Sequence, residues 1–163
     1  MKRKTAFLGL FLALALICSY VETLIPIHFS VPGIKLGLTN IVVVLMLYLV
    51  GWKEAIVVSV LRIVLSGFMF GNVFAIVYSL GGAVLSFVVM LAAKKTGRFR
   101  VISISVLGGI FHNIGQLLIA AVIVETFSLM YYAPVLLVAG AVTGFLIGLL
   151  SDELIRRLGH VFR

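Results

Sequence analysis

The chain has 163 residues, of which 63% are hydrophobic and only 11% charged, with a formal net charge of +8. That balance excludes a soluble globular domain and leaves length for about six apolar spans of roughly 20 residues with no room for a soluble catalytic domain. The expected unit is one compact all-α integral membrane domain over residues 1–163, and Cys18, the single cysteine, is a small packing residue with no thiol partner for a disulfide or a CxxC site.

The spans are predicted at Thr5–Ile25, Leu36–Val50, Glu54–Ser66, Asn72–Ala93, Val101–Val124 and Tyr131–Leu150. The first follows Lys2, Arg3 and Lys4, a pattern shared with secretory signals, and Ala13-Leu14-Ala15 even offers an A-x-A site; an uncleaved first span is the favoured assignment. Ile17 before Cys18 does not make a lipoprotein box. The third span is short, and its continuation through Gly67-Phe68-Met69-Phe70-Gly71 is expected to be broken or re-entrant. Residues 152–163 mix Leu154, Ile155, Leu158, Val161 and Phe162 with charges, the pattern of a short amphipathic tail on the inner surface or of a docking face.

Charge sets the expected orientation. With six crossings, Lys2, Arg3, Lys4, Lys53, Lys94, Lys95, Arg98, Arg100, Arg156, Arg157 and Arg163 share one side, leaving Lys35 outside and Arg62 within a span. Both termini are therefore expected in the cytoplasm, and the positive charge answers to anionic inner-leaflet lipid rather than to nucleic acid.

Polar residues inside these spans are costly, about 2.5–3.5 kcal/mol for a charge at the bilayer centre on insertion scales, so they mark candidate sites. Asn40 lies about one turn into the second span. Arg62 lies eight residues beyond Glu54, roughly 12 Å along a helix. Asn72, Tyr78 and Ser79 belong to the outer half of the fourth span, and His112, Asn113 and Gln116 fall near the middle of the fifth, with His112 and Gln116 four apart on one face. These residues, with Lys35 at the mouth, predict a substrate-binding pocket open to the outside. Glue between helices is the alternative for each neutral residue. Arg62 has no evident acidic partner within the membrane, because Glu22 and Glu125 read as interface markers, so an anionic ligand group is the expected counter-charge. Gly9 with Ala13, and Gly140, Gly144 and Gly148, recur every fourth residue and form smooth faces for close helix or partner packing. Gly82–Phe87 and Gly140–Phe145 echo one another, as an internal duplication or as apolar helices from a limited alphabet.

The stretch Pro32-Gly33-Ile34-Lys35-Leu36-Gly37-Leu38-Thr39-Asn40, the Gly51-Trp52-Lys53-Glu54-Ala55 turn, Arg62 with Ser66-Gly67, and Gly108-Gly109 leading to His112-Asn113-Ile114-Gly115-Gln116 resemble the bacterial "Gx transporter" proteins, labelled heptaprenyl diphosphate synthase component I. That family is in turn similar to the substrate-capturing S components of energy-coupling factor transporters. The resemblance implies a multi-pass protein of the bacterial cytoplasmic membrane that takes a small molecule, anionic or amphipathic, vitamin-like or isoprenoid- or quinone-related, from the outer side. It also implies possible partners: a coupling subunit with its ATPases, met through a small-residue face that Gly9 to Ala13 matches with glycine in place of the usual first alanine, or a flavin-binding membrane protein. A scaffold role in a flavin- or quinone-linked electron-transfer system, or in a polyprenyl diphosphate synthase, is the alternative. The label's chemistry does not fit this chain acting alone. Prenyl elongation needs aspartate-rich motifs holding magnesium, and the acidic residues are only Glu22, Glu54, Glu125, Asp152 and Glu153. No enzyme activity, metal or cofactor is expected, and His28, His112 and His160 are too dispersed in the predicted topology to ligate haem as a pair.

Overall fold

A computed structural model describes residues 2–24 and 37–160, and side chains from Thr5 onward within that range. The described residues form six α-helices: α1 Lys2–Leu24, α2 Asn40–Leu49, α3 Trp52–Phe70, α4 Val73–Lys95, α5 Val101–Ile123 and α6 Ala133–Leu158. A 3-10 helix, Phe127–Tyr132, leads into α6, and Pro134 stands in the first turn of α6, where its missing N–H costs nothing. Four stretches are long and apolar enough to cross a membrane, Thr5–Leu24, Val73–Lys95, Val101–Ile123 and Phe127–Leu158.

The other two helices depart from the predicted spans. α2 has 10 residues, about 15 Å of helix, and so does not reach across a bilayer core about 30 Å thick. Of its predicted first residues, 37–39 are not helical: Gly37 is at φ +80°, a backbone region open to glycine, and Leu38 and Thr39 form the turn that starts the helix. α3 is longer than expected, running unbroken through Gly67 to Phe70. The break predicted over 67–71 falls at its end, at Gly71, because Gly67 serves helix packing: a Cβ on it would come within 2.1 Å of the Ile76 side chain. At the other terminus, α6 runs straight on to Leu158, so residues 152–158 of the expected surface tail are its last two turns, stapled by Arg156 to Asp152 and Arg157 to Glu153, each at 2.6 Å.

The bundle is built around two elements. α5 lies between α4 and α6, its most extensive partners. Glycines make that possible. A Cβ on Gly109 would sit 2.3 Å from the Gly140 carbonyl oxygen, one on Gly144 2.7 Å from the Ser105 oxygen, and one on Gly115 2.7 Å from the Gly81 oxygen, so backbones touch where any side chain would hold them apart. The small-residue ladder at Gly140, Gly144 and Gly148 is thus spent inside the protein, whereas Gly9 and Ala13 are exposed and nothing lies within 4 Å of a Cβ on Gly9.

The second element is α2. Every residue from Asn40 to Leu47 is buried, in contact with α1, α3, α5 and α6. Enclosed on four sides, α2 has no face turned to solvent, which suits a helix apolar almost all round. Its two ends are tied by charge. Before its first turn the Glu22 carboxylate of α1 accepts from the N–H of Gly37 (2.5 Å), the N–H of Leu38 (3.4 Å) and the Thr39 hydroxyl (3.5 Å). At its last turn the Lys94 ammonium of α4 donates to the Leu47 carbonyl and lies 4.4 Å from the centre of the Tyr48 ring. An anion at the amino end and a cation at the carboxyl end are the signs that the helix dipole favours.

Candidate functional site

Several buried polar side chains gather where α2 begins. On α1, Ser19 and Glu22 are buried; the Ser19 and Thr39 hydroxyls stand 3.5 Å apart. On α3, Arg62 is 4% exposed, and its Nε is enclosed without a hydrogen-bond partner. Arg62, Thr39 and Ser59 line a cavity of about 10 Å³, walled elsewhere by apolar residues of α1, α2 and α3, which is space for about one water. Gly37 lies close to both Asn40 and α5: a Cβ on it would be 3.2 Å from the Asn40 Nδ2 and 3.8 Å from the His112 ring.

His112 and Gln116 share the face of α5 turned to α4, as their spacing of four predicts. Gly82 gives them room, since a Cβ there would lie 2.8 Å from the Gln116 side chain and 3.0 Å from the His112 Nδ1. Gln116 is completely buried, and neither its Oε1 nor its Nε2 has a hydrogen-bond partner. Burying a polar group without a partner costs about 1–3 kcal/mol, so the Arg62 Nε among α1, α2 and α3, and the two amide atoms of Gln116 between α5 and α4, each keep capacity for a further hydrogen-bond partner.

The other predicted site residues go elsewhere. Asn113 points to α6, where its Nδ2 donates to the Leu136 carbonyl at 2.8 Å, and it borders a separate apolar cavity of about 90 Å³ with Leu117, Met130 and Leu136. Tyr78 is buried in an apolar cluster with Leu117, Ala120 and Leu136. Ser79 is buried on α4. Asn72 is exposed and caps α4, its side-chain oxygen accepting from the Ala75 N–H at 2.8 Å. Lys35 lies outside the described residues, as does His28.

One expectation needs correction. Glu22 was read as an interface marker, leaving Arg62 without an acidic neighbour, yet it is 7% exposed and held at the start of α2. Among the described residues no hydrogen bond or ion pair joins the two. The Glu22 oxygens are instead given to the backbone and hydroxyl donors at the start of α2. The helical pattern contained the signal: Phe11, Ala15, Ser19 and Glu22 fall on one stripe of α1, and all four are buried.

A family model described as heptaprenyl diphosphate synthase component I matches residues 11–154. The chain belongs to that family. No curated protein matches it, and no solved structure does. The matched range covers every helix except the first turns of α1 and the last turn of α6, so the polar cluster lies wholly inside the heptaprenyl diphosphate synthase component I region. The family is described as one component of a synthase, and three of the five carboxylates of this chain are committed locally: Glu22 holds the start of α2, and Asp152 and Glu153 hold Arg156 and Arg157.

Proposed function

We propose that this membrane protein captures a small molecule at the buried polar groups of its interior, in the manner of an S component of an energy-coupling factor transporter, with the helices parting to admit it, since the space beside Arg62 is that of about one water. The observation that carries this reading is the set of enclosed groups without partners, the Arg62 Nε and both amide atoms of Gln116, beside Thr39, Asn40 and His112. With Glu22 already engaged, Arg62 retains its capacity for an acceptor group on the ligand.

In this proposal the chain crosses the bacterial cytoplasmic membrane six times with both termini in the cytoplasm, Lys35 stands near the outer mouth, and α1 presents Gly9 and Ala13 to lipid or to a coupling subunit with its ATPases. The test is native mass spectrometry of protein extracted from its own membrane, followed by binding of whatever is retained. Arg62→Ala is expected to weaken that binding by about tenfold or more, the effect of losing roughly 1.5–3 kcal/mol for a hydrogen bond to a charged group. Wild-type affinity in Arg62→Ala and Gln116→Ala alike rejects the site.

A second reading rests on the family description: a membrane subunit that anchors a polyprenyl diphosphate synthase or a flavin- or quinone-linked partner. It predicts a co-purified protein that stays bound to both variants, with no small molecule retained.

A further inference from the structure

The basic end of the bundle holds a cavity of its own. It measures about 410 Å³, within the about 300–1,000 Å³ typical of small-molecule sites, and lies where the last turn of α2, the loop from α4 to α5 and the last turns of α6 meet. Tyr48, Phe99, Arg100, Ile102, Asp152 and Arg156 line it. Tyr48 stands at the far end of α2 from Thr39 and Asn40, so this cavity is separate from the interior cluster.

Helix lengths place it at the level of lipid headgroups. α6 has 26 residues, about 39 Å of helix against a hydrocarbon core about 30 Å thick, so counted from Ala133 the core ends near Asp152. On the neighbouring spans the same level is marked by the end of α4 at Lys95 and the start of α5 at Val101. The cavity has a cationic part and an apolar part. Arg156 gives one nitrogen to Asp152 at 2.6 Å, and its side chain is 68% exposed, with further N–H donors to offer. Arg100 is exposed, and among the described residues no hydrogen bond or ion pair engages its side chain. Asp152 is the carboxylate that lines the cavity, and Arg156 already answers its charge, which leaves the sign positive. Phe99 and Ile102 supply the apolar wall.

Two guanidinium groups bind phosphate oxygens through paired N–H donors, and basic pockets between membrane helices hold anionic headgroups in this way. We propose that the cavity holds the headgroup of one anionic glycerophospholipid, its phosphate on Arg100 and Arg156 and its glycerol against Phe99 and Ile102. In the proposed orientation the lipid comes from the cytoplasmic leaflet. Lipid drawn only by the net charge of the chain is indifferent to which basic residue is removed, whereas a built site is not.

The test titrates phosphatidylglycerol into the delipidated full chain in neutral detergent and counts bound lipid by native mass spectrometry, with phosphatidylcholine and soluble glycerol phosphate as comparisons. Expected is one phosphatidylglycerol bound saturably, about tenfold or more tighter than phosphatidylcholine and retained in excess glycerol phosphate. Arg100→Gln and Arg156→Gln should each weaken it by about fivefold or more, and Lys53→Gln, the same charge change at an exposed lysine outside the cavity, by less than about twofold. Asp152→Asn, which releases Arg156 and removes the opposing charge, should tighten it more than Glu153→Gln does. Melting temperatures should stay within a few degrees of wild type, because exposed ion pairs add little stability. Equal losses in Lys53→Gln and the two arginine variants mean attraction by net charge alone and overturn the proposal, as does equal affinity for phosphatidylcholine or no retained lipid at all. Displacement by glycerol phosphate at concentrations comparable to the lipid makes a soluble phosphate ester the ligand and overturns the lipid assignment.

Discussion

Glu22 shows how a single acidic residue acquires a structural task inside an apolar bundle. Three donors at the start of α2, two backbone N–H groups and the Thr39 hydroxyl, converge on its carboxylate from 15 to 17 positions away. Replacing it with alanine leaves those donors buried and unsatisfied, and a loss of about 1.5–3 kcal/mol is expected, read as a lower melting temperature of the purified protein. Thr39→Val removes the weakest of the three contacts and should cost less than Glu22→Ala in the same measurement. The polar residues themselves were legible in the sequence because each stands out against lipid-like neighbours. Their sorting was not, since Asn113 and Gln116 differ by less than one helical turn yet face α6 and α4 respectively. Which neighbour a side chain meets depends on how α4 and α6 flank α5, and depth along one helix carries no such information.

Among the helices, the two glycine-containing segments that echo each other, starting at Gly82 and Gly140, perform one task on opposite sides of α5. Gly82 lies on His112 and Gln116; Gly140 lies on the Gly109 carbonyl and the Asn113 amide. The spacing of four was readable as a packing face, but only the fold separates the interior ladder from the exposed pair at Gly9 and Ala13. That difference is measurable. Gly140→Ala places a Cβ 2.7 Å from the Gly109 oxygen, in contact with rigid backbone, and is expected to destabilise by about 1–3 kcal/mol as overpacking does. Gly9→Ala meets nothing within 4 Å and should stabilise by about 0.5–1 kcal/mol through helix propensity. Thermal unfolding of the two variants in one detergent makes the comparison directly. The length of α2 was misjudged for a physical reason: an unbroken apolar run does not reveal where a turn ends and a helix begins, and Gly37 with Thr39 gave no helix-capping contact to mark the boundary.

For the whole molecule, hydropathy gave the membrane class and the helix count, and four helices are long and apolar enough to span on their own terms. α3 carries Lys53, Glu54 and Arg62 in 19 residues, and α2 is half the length a crossing requires, so these two depend on their neighbours for their place in the bilayer. The proposed six-crossing topology has a direct check in single-cysteine variants on a Cys18→Ser background: a thiol at Thr126 should react with an impermeant maleimide added outside intact cells, and one at Arg98 only after lysis. Equal reactivity at both positions from outside would reject it.

The position of α2 in the chain bears on how the bundle assembles. It leaves the ribosome after α1 but before α3, α5 and α6, three of the four helices that enclose it, and at about 15 Å it is too short to be held as an independent span. Its final placement must therefore await the rest of the chain. The two charged tethers then act as end stops for a late arrival, Glu22 already waiting on α1 and Lys94 delivered with α4. A chain truncated after α3 would contain the first stop and lack the second, leaving α2 anchored at one end and uncovered along most of its length.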